Sequence, residues 1–397
     1  LADAEAFGLS PLFIIVLLFG SLWGVIFLVL FCAALGYYFL SKTLELIAEY
    51  WLPANSSFDV YSTARSLSLL VIGSNFFLWH FKVGHITFTL YYLCFASIYY
   101  VLQAILKGLT KRDFVVATLI SWSFYSAGFY HALIFFLLPL ALTTLISILS
   151  LCLNHDFRKT LKAKRSGILQ ALSSHFLGAF LGSYKILGIL AYQREHPRVV
   201  KPVIETIDGL SSLFIEQFIP TLNQQYLLGI NVQEPWGIWE YSSFSWLAWV
   251  LLGALIVDAR NKFSATKSFI APGNKLSLLL ILFALLCFFG FRIGDTAWGP
   301  YKILNEFVLN HSVRVAGRFN FGFTLIIALV AWYYLLKSEA VQNMYRRCLP
   351  FILVLLLVNF TTFELSPKNF QAALSLQGHS TKEMRMLRMI PSKDMRL

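Results

Sequence analysis

Apolar residues form long runs along this chain, and short polar segments separate them. Runs of roughly 17 to 25 residues, the length that crosses a bilayer as an α-helix, occur about nine times, with 113–130 and 166–192 the weakest in hydropathy. The runs lie at 11–36, 84–106, 113–130, 131–153, 166–192, 243–258, 275–293, 319–336 and 348–362. A membrane β-barrel would show shorter, alternating segments. The pattern therefore predicts an all-α, polytopic integral membrane protein with about nine to ten transmembrane helices.

Short basic segments between the runs predict the topology. Lysine and arginine concentrate in cytoplasmic loops, and each successive pair of these segments is separated by two predicted spans, which places all of them in the cytoplasm. They lie at 107–112, 158–165, 260–267 and 337–347. The N-terminus is then inside, and the loops 37–83, 193–242 and 295–318 are outside. The predicted organisation is one transmembrane domain, 1–363, followed by a short outer tail, 364–397.

Two stretches of the first outer loop have patterns of their own. The sequence "LSKTLELIAEYWL" has helical apolar spacing and fits a helix lying in the interface. Residues 60–81 are hydrophobic but interrupted by polar residues such as Arg65 and Asn75. We interpret this part as a re-entrant or surface helix, with a tenth crossing as the alternative. The loop 193–242 is too long for a plain connection and predicts a small cap.

Composition agrees with a membrane protein and narrows its chemistry. The 397 residues are 58% hydrophobic and 13% charged, with a mean hydropathy of +0.68. The net charge of +12 reflects cytoplasmic loops rather than nucleic-acid binding. The five cysteines have neither metal-ligand nor disulfide spacing. No P-loop, GxSxG, HExxH or CxxC motif is present, which argues against ATP hydrolysis, serine-hydrolase chemistry and zinc peptidase chemistry by those routes.

Three candidate functional residues come from the first half of the chain. Asp59 in "FDVYSTARSL" has the chemistry of a general base toward an acceptor hydroxyl or of a ligand for a divalent cation; the alternative is a solvated loop aspartate. His85 follows Trp79 and Lys82, for which interfacial anchoring is the simpler explanation. Lys185 in "LGSYKILGIL" lies near the outer end of its helix, where a lysine is either functional or extends to the interface.

Two segments of the second half contain the further candidate residues. "PWGIWEYSSF" contains Trp239, Glu240 and Tyr241; an aromatic belt explains the rings but not the acid. "NHSVRVAGRFNFGF" contains His311, Arg314 and Arg318 before an apolar run. A spacing of four places both guanidinium groups on one helical face, and such groups match phosphate oxygens bidentately. Contact with lipid headgroups is the alternative.

The order of these features resembles the polytopic glycosyltransferases of the GT-C class, especially the mannosyl- and arabinofuranosyl-transferase-like and YfhO-like membrane proteins of bacteria. "FDVYSTARSL", "GSYKILGIL", "WGIWEYSSF" and "HSVRVAGRF" are similar to loose motifs of that class and occur in the same order over about residues 50–340. Two departures stand out. Lys185 is not followed by a proline, and Ala316 stands where the class has proline between two arginines.

The resemblance implies an inverting transferase of the bacterial inner membrane that uses a sugar on a polyprenyl phosphate. Asp59 would be the base or would help to hold Mg²⁺ or Mn²⁺. The lipid phosphate would be bound by Arg314 and Arg318 with Lys185 and His311. The sugar or acceptor side would be lined by Glu240, Trp239, Tyr241 and His85. The implied partners are membrane lipids, the lipid-linked sugar and possible other membrane subunits, without nucleic acid.

Two other functions remain open from the sequence. A non-catalytic GT-C-like scaffold or accessory subunit agrees with the loose motifs and their departures. A lipid or small-molecule transporter predicts charges at mid-membrane, whereas the predicted spans are nearly free of charge apart from Lys185.

Overall fold

A computed structural model describes 10–51, 59–74, 91–126, 164–185 and 320–362, together with isolated positions at 77, 187–188, 191, 249–250, 252–254, 256–257 and 260. These residues are almost entirely helical, and none of them lies in a β-strand. The all-α prediction is therefore confirmed for this part of the chain. Of the candidate site residues, only Asp59 and Lys185 belong to it.

The described ranges contain seven helices. In chain order they are α1 (Phe13–Trp51), α2 (Val60–Ile72), α3 (Tyr91–Leu106), α4 (Lys111–Ser126), α5 (Arg165–Leu181), α6 (Asn320–Lys337) and α7 (Glu339–Thr362). Two segments are long and apolar enough to cross a membrane, Trp23–Glu49 within α1 and Glu339–Leu357 within α7. This agrees with a chain associated with a membrane.

Helix α1 differs from the predicted span at both ends. It continues through the stretch "LSKTLELIAEYWL", so this stretch is the last part of a 39-residue helix rather than a separate interfacial helix. Near its start the helix is broken at Gly20, whose backbone has φ 78° and ψ 174°. This conformation is essentially restricted to glycine, so Gly20 separates the first turns from the rest of α1.

Helices α1 and α3 pack side by side and run in the same direction. The Cβ position of Gly36 faces Tyr92, Phe39 packs against Tyr99, and Glu49 forms a 2.5 Å ion pair with Lys107 just after α3. Residue numbers thus increase together along both helices. Gly108, with φ 84°, ends α3, and its N–H donates to the carbonyl of Ala104, as in a glycine C-cap.

Helix α2 packs against α1 and runs in the opposite direction. Its start lies near the late part of α1, where Tyr61 is within electrostatic range of Lys42. Its last residue, Ile72, lies beside Gly36 and accepts a hydrogen bond from the hydroxyl of Tyr92. One face of α2, including Ala64, Leu67, Leu70 and Val71, is fully buried.

Helices α4 and α5 form a second parallel pair. Ser121 bonds to His175 at 2.6 Å and Tyr184 bonds to Ser126 at 3.1 Å, so both helices advance together. Close approach is possible because a Cβ on Gly178 would overlap Ser121 and a Cβ on Gly182 would overlap Tyr125. This pair starts beside the end of α3, since Lys164 donates to the carbonyl of Leu106.

Helices α6 and α7 pack on the first group. Trp332 of α6 is fully buried and donates its indole N–H to the carbonyl of Leu44 at 3.0 Å. Tyr345 of α7 bonds to Ser66 of α2 at 2.9 Å. Ser338 is the single residue between α6 and α7, and Trp332 lies five residues before the end of α6, so α7 starts near the late part of α1 that contains Leu44.

The contacts above define two ends of the bundle. The basic end contains Glu49, Asp59, Lys107, Lys111 and Lys164, which lie at the last turn of α1 and beside the ends of α2 to α5. The opposite end, named the Lys185 end, contains the start of α1, the end of α2 and the residues that follow α5. Ser10, whose hydroxyl donates to the carbonyl of Ser123, marks the start of α1 near this end.

This arrangement corrects the predicted topology. The sequence placed Glu49, in the loop 37–83, outside and Lys107, in a basic segment, in the cytoplasm. The two side chains form an ion pair, and residues in contact cannot lie on opposite sides of a membrane, so that separation is wrong. Helix α2 has 13 residues and is shorter than the two candidate spans, so the alternative in which residues 60–81 make a tenth crossing stays a prediction.

Exposed apolar side chains run along the outer faces of several helices. On α5 they recur every three or four residues, at Leu169, Leu172, Phe176 and Phe180, the last two 75% and 65% exposed. Similar stripes run along α1, from Ile14 to Tyr38, and along α7, from Phe351 to Leu357. Contiguous apolar surface of this extent is unusual for a protein in water and is the surface that a bilayer would cover.

Candidate functional site

Asp59 is the N-cap of α2. Its carboxylate accepts a hydrogen bond from the backbone N–H of Ser62 at 3.1 Å, and its backbone carbonyl accepts one from the hydroxyl of Thr63. Aspartate is among the residues that most strongly favour this position, because its side chain satisfies an otherwise unbonded N–H of the first turn. The local sequence "FDVYST" thus starts a helix, and the acid has a structural role there.

Lys185 lies just beyond the end of α5. The N–H of Gly182 donates to the carbonyls of Gly178 and Phe180 and closes the helix, after which a further helical turn contains Lys185. The side chain of Lys185 is only 2% exposed. An ammonium group is stable at such a position when an acceptor or an anion compensates its charge, and Lys185 has a further interaction there.

The structure does not bring Asp59 and Lys185 together. Lys164 lies at the basic end, where its ammonium group donates to the carbonyl of Leu106. From there α5 leads away from the basic end to Lys185, a distance of about 30 Å at 1.5 Å per residue. Asp59 starts α2 at the basic end. The expectation that one cavity contains both residues is therefore not met for this pair.

The remaining candidate residues, His85, Trp239, Glu240, Tyr241, His311, Arg314 and Arg318, lie outside the described residues.

Metal binding through Asp59 gains no support from its surroundings. Within the described ranges, no three His, Cys, Asp or Glu side chains are grouped closely enough to hold a metal ion. Hard divalent cations take several oxygen ligands, and one carboxylate that already caps a helix is a poor start for such a site. Among the described residues Asp59 has no partner ligands for Mg²⁺ or Mn²⁺; residues 52–58 lie outside them, and the metal site stays a prediction.

Sequence reasoning missed a polar interface between α4 and α5. The pair Ser121–His175 is buried between the two helices, and the hydroxyls of Tyr184 and Ser126 bond nearer the Lys185 end. The signal was present in "GAFLG", Gly178 to Gly182, which is the GxxxG spacing that brings membrane helices together. Buried side chains that bond across such an interface hold helices in register.

Comparison with known proteins gives no relative for this chain: no protein-family model, no curated protein and no solved structure matches it.

Proposed function

We propose that this chain is a polytopic, GT-C-like glycosyltransferase of a bacterial inner membrane that takes its sugar from a polyprenyl phosphate. The observation that carries the proposal is the burial of Lys185, an ammonium group 2% exposed, just beyond the end of a helix whose outer face is apolar. In the sequence, Arg314 and Arg318 supply two further cations shortly before α6.

In this proposal the Lys185 end binds the departing lipid phosphate. Negative charge grows on that phosphate as the glycosidic bond breaks. Lys185, Arg314 and Arg318, with His311 as a hydrogen-bond donor, would stabilise this charge more strongly in the transition state than in the bound donor. Interactions of that kind accelerate the reaction rather than only binding the substrate.

Asp59 is left out of the proposed site because it caps α2 at the other end. An inverting transfer still needs a base for the acceptor hydroxyl. Glu240 is the remaining acid among the candidate residues, and it takes this role in the proposal. Trp239, Tyr241 and His85 would line the sugar side, where aromatic faces suit sugar rings.

The test measures transfer from a polyprenyl-phosphate sugar by purified protein in lipid vesicles. Lys185→Met should reduce the rate by about 10²-fold, the usual cost of losing one preorganised group that stabilises transition-state charge. Asp59→Asn is the matched control, because asparagine caps helices as well as aspartate does, and it should retain the wild-type rate. Loss of transfer in a folded Asp59→Asn protein would refute the exclusion of Asp59.

A second function, a non-catalytic accessory subunit, is favoured by one observation. The acid of "FDVYSTARSL", on which the resemblance to the transferases partly depends, is engaged as a helix cap. Affinity purification from solubilised membranes distinguishes the two functions. Co-purification of a partner protein at a constant ratio, together with an unchanged cellular phenotype for Lys185→Met and Arg318→Gln, would support the accessory-subunit function and exclude the transferase function.

A further inference from the structure

Three helices share one arrangement of charge and apolar surface at the basic end. An exposed cation lies four residues before the first large exposed apolar side chain on each. On α4 the pair is Lys111 and Val115, the latter 55% exposed. The other pairs are Arg165 with Leu169 on α5 and Arg347 with Phe351 on α7, where the apolar residues are 52% and 67% exposed.

A spacing of four has a direct geometric meaning. Residues four apart lie on the same helical face, about 6 Å apart along the axis. Each helix therefore presents a cation directly above the point where its apolar stripe begins. This is the arrangement of a boundary between phospholipid headgroups and acyl chains, at which long basic side chains reach outward.

Two of these cations lie at the same level in the bundle. Ser121 and His175 are bonded to each other, and each lies ten residues after the cation of its own helix, Lys111 or Arg165. Because α4 and α5 are parallel, Lys111 and Arg165 are level with one another. Helix α7 starts near the late part of α1, because Ser338 alone separates it from α6, whose Trp332 contacts Leu44. Arg347 lies eight residues after that start and therefore belongs to the half of the bundle nearest the basic end.

Four carboxylates at this end are bound to other groups. Glu45 pairs with Lys42 and Glu49 with Lys107. Asp59 caps α2, and Asp113 accepts from the backbone N–H and the hydroxyl of Thr110. These four acids therefore have ligands of their own, and none of these contacts involves Lys111, Arg165 or Arg347.

We propose that Lys111, Arg165 and Arg347 form a basic rim that binds the phosphates of anionic phospholipids in the leaflet at the basic end. The exposed stripes that begin below each cation exclude a purely aqueous partner at this face, because a bound phosphate there has acyl chains beside it. The rim sets the depth and the orientation of the bundle in the membrane. It depends only on the membrane-spanning part of the proposed function and not on glycosyl transfer.

The experiment compares two double variants that remove the same charge. Lys111→Gln with Arg347→Gln removes two rim cations. Arg112→Gln with Arg346→Gln removes the adjacent cations, which point about 100° away around their helices. Each protein is reconstituted in phosphatidylcholine vesicles, and brominated phosphatidylglycerol or brominated phosphatidylcholine is added to quench tryptophan fluorescence. The ratio of the two lipid association constants is the measured quantity.

The rim variant should lose preference for phosphatidylglycerol by about fivefold per removed cation, the usual strength of attraction between one basic residue and an anionic leaflet. The control should retain most of the wild-type preference. Equal losses in both variants would overturn the rim, because total charge alone would then explain binding. Competition by inorganic phosphate at equal concentration would also overturn it, since a soluble anion would then fill the same site.

Sedimentation of the membranes after an alkaline carbonate wash separates this proposal from the proposed function. Protein that stays in the pellet without lipid preference contradicts the rim alone. Protein released into the supernatant contradicts membrane spanning itself, on which both proposals depend.

Discussion

The two parallel helix pairs of this bundle are held together in different ways. Between α1 and α3 the contact is built from large side chains, with the ring of Phe39 packed 5.5 Å from Tyr99 and 5.4 Å from Tyr100. Between α4 and α5 the backbones themselves approach at Gly178 and Gly182, and Ser121 bonds to His175. Aromatic rings fill the α1–α3 interface, whereas the α4–α5 helices approach closely because glycines without side chains lie between them.

The difference shows two solutions to one physical problem. In a bilayer, lipid tails are as apolar as leucine, so burial of apolar surface does little to drive helices together. Association then depends on close packing and on bonds between polar groups. The α1–α3 pair relies on dispersion contacts of large rings, whereas the α4–α5 pair combines backbone approach with a bond between polar side chains.

The largest expected effect is in the ring-filled interface. Phe39→Ala should lower the free energy of unfolding by about 3 kcal/mol, because it leaves a cavity among rings that cannot close around it. The measurement is an unfolding titration with dodecyl sulfate in mixed micelles. Phe31→Ala, on the exposed face of the same helix, is the control and should change the value little. Equal losses would show that the rings contribute nothing specific.

A smaller effect is expected where the backbones meet. Gly178→Ala adds a methyl group that overlaps Ser121 and lies 2.8 Å from the backbone nitrogen of Trp122, so the helices must move apart at a cost of about 2 kcal/mol. The control is Gly188→Ala, because a Cβ there meets nothing within 4 Å. The same unfolding titration compares them, and a neutral Gly178→Ala would contradict backbone approach.

The smallest effect is expected for the polar bond in the same interface. A double-mutant cycle of Ser121→Ala and His175→Leu should give a coupling energy of about 0.6 kcal/mol, the average for bonds between membrane helices. Unfolding titrations of the wild type, the two single variants and the double variant supply the four corners of the cycle. A coupling indistinguishable from zero would show that the 2.6 Å contact adds nothing to packing.

Helix positions followed well from hydropathy within the described residues. The predicted span 84–106 ends with α3 at Leu106, and the span 319–336 coincides within one residue with α6. Even the weak run at 113–130 is largely helical in the structure, as α4. Its low hydropathy comes from serines such as Ser121 and Ser126, whose hydroxyls bond to neighbouring groups. An average over a window cannot distinguish such bonded polar groups from solvated ones.

Topology was harder to predict for a related reason. Residues 60–72 contain Arg65 and several hydroxyl groups, so their hydropathy did not predict a transmembrane span. In the bundle Ser68 bonds to the carbonyl of Ala64 and Ser66 bonds to Tyr345. A further crossing there would reverse the side assigned to everything before it, and the structure places Asp59, at the start of α2, at the basic end.

The roles of the candidate site residues stay predictions. Residue type and position near a helix end identified Lys185, which the structure buries. Asp59 looked catalytic because an acid in a polar loop has the chemistry of a base. The same residue type also caps helices, and only the contact with Ser62 distinguishes the two roles.

Two glycines of this chain are required for different physical reasons. At Gly178 the backbone is ordinary helix and the neighbours leave no room. At Gly20 a Cβ would meet nothing within 4 Å, but the backbone conformation is one that only glycine adopts. A saturation library would therefore reject every substitution at Gly20 regardless of size and would rank substitutions at Gly178 by side-chain volume. Gly20 sets the direction in which the chain enters the rest of α1, and Gly178 sets the distance between α4 and α5.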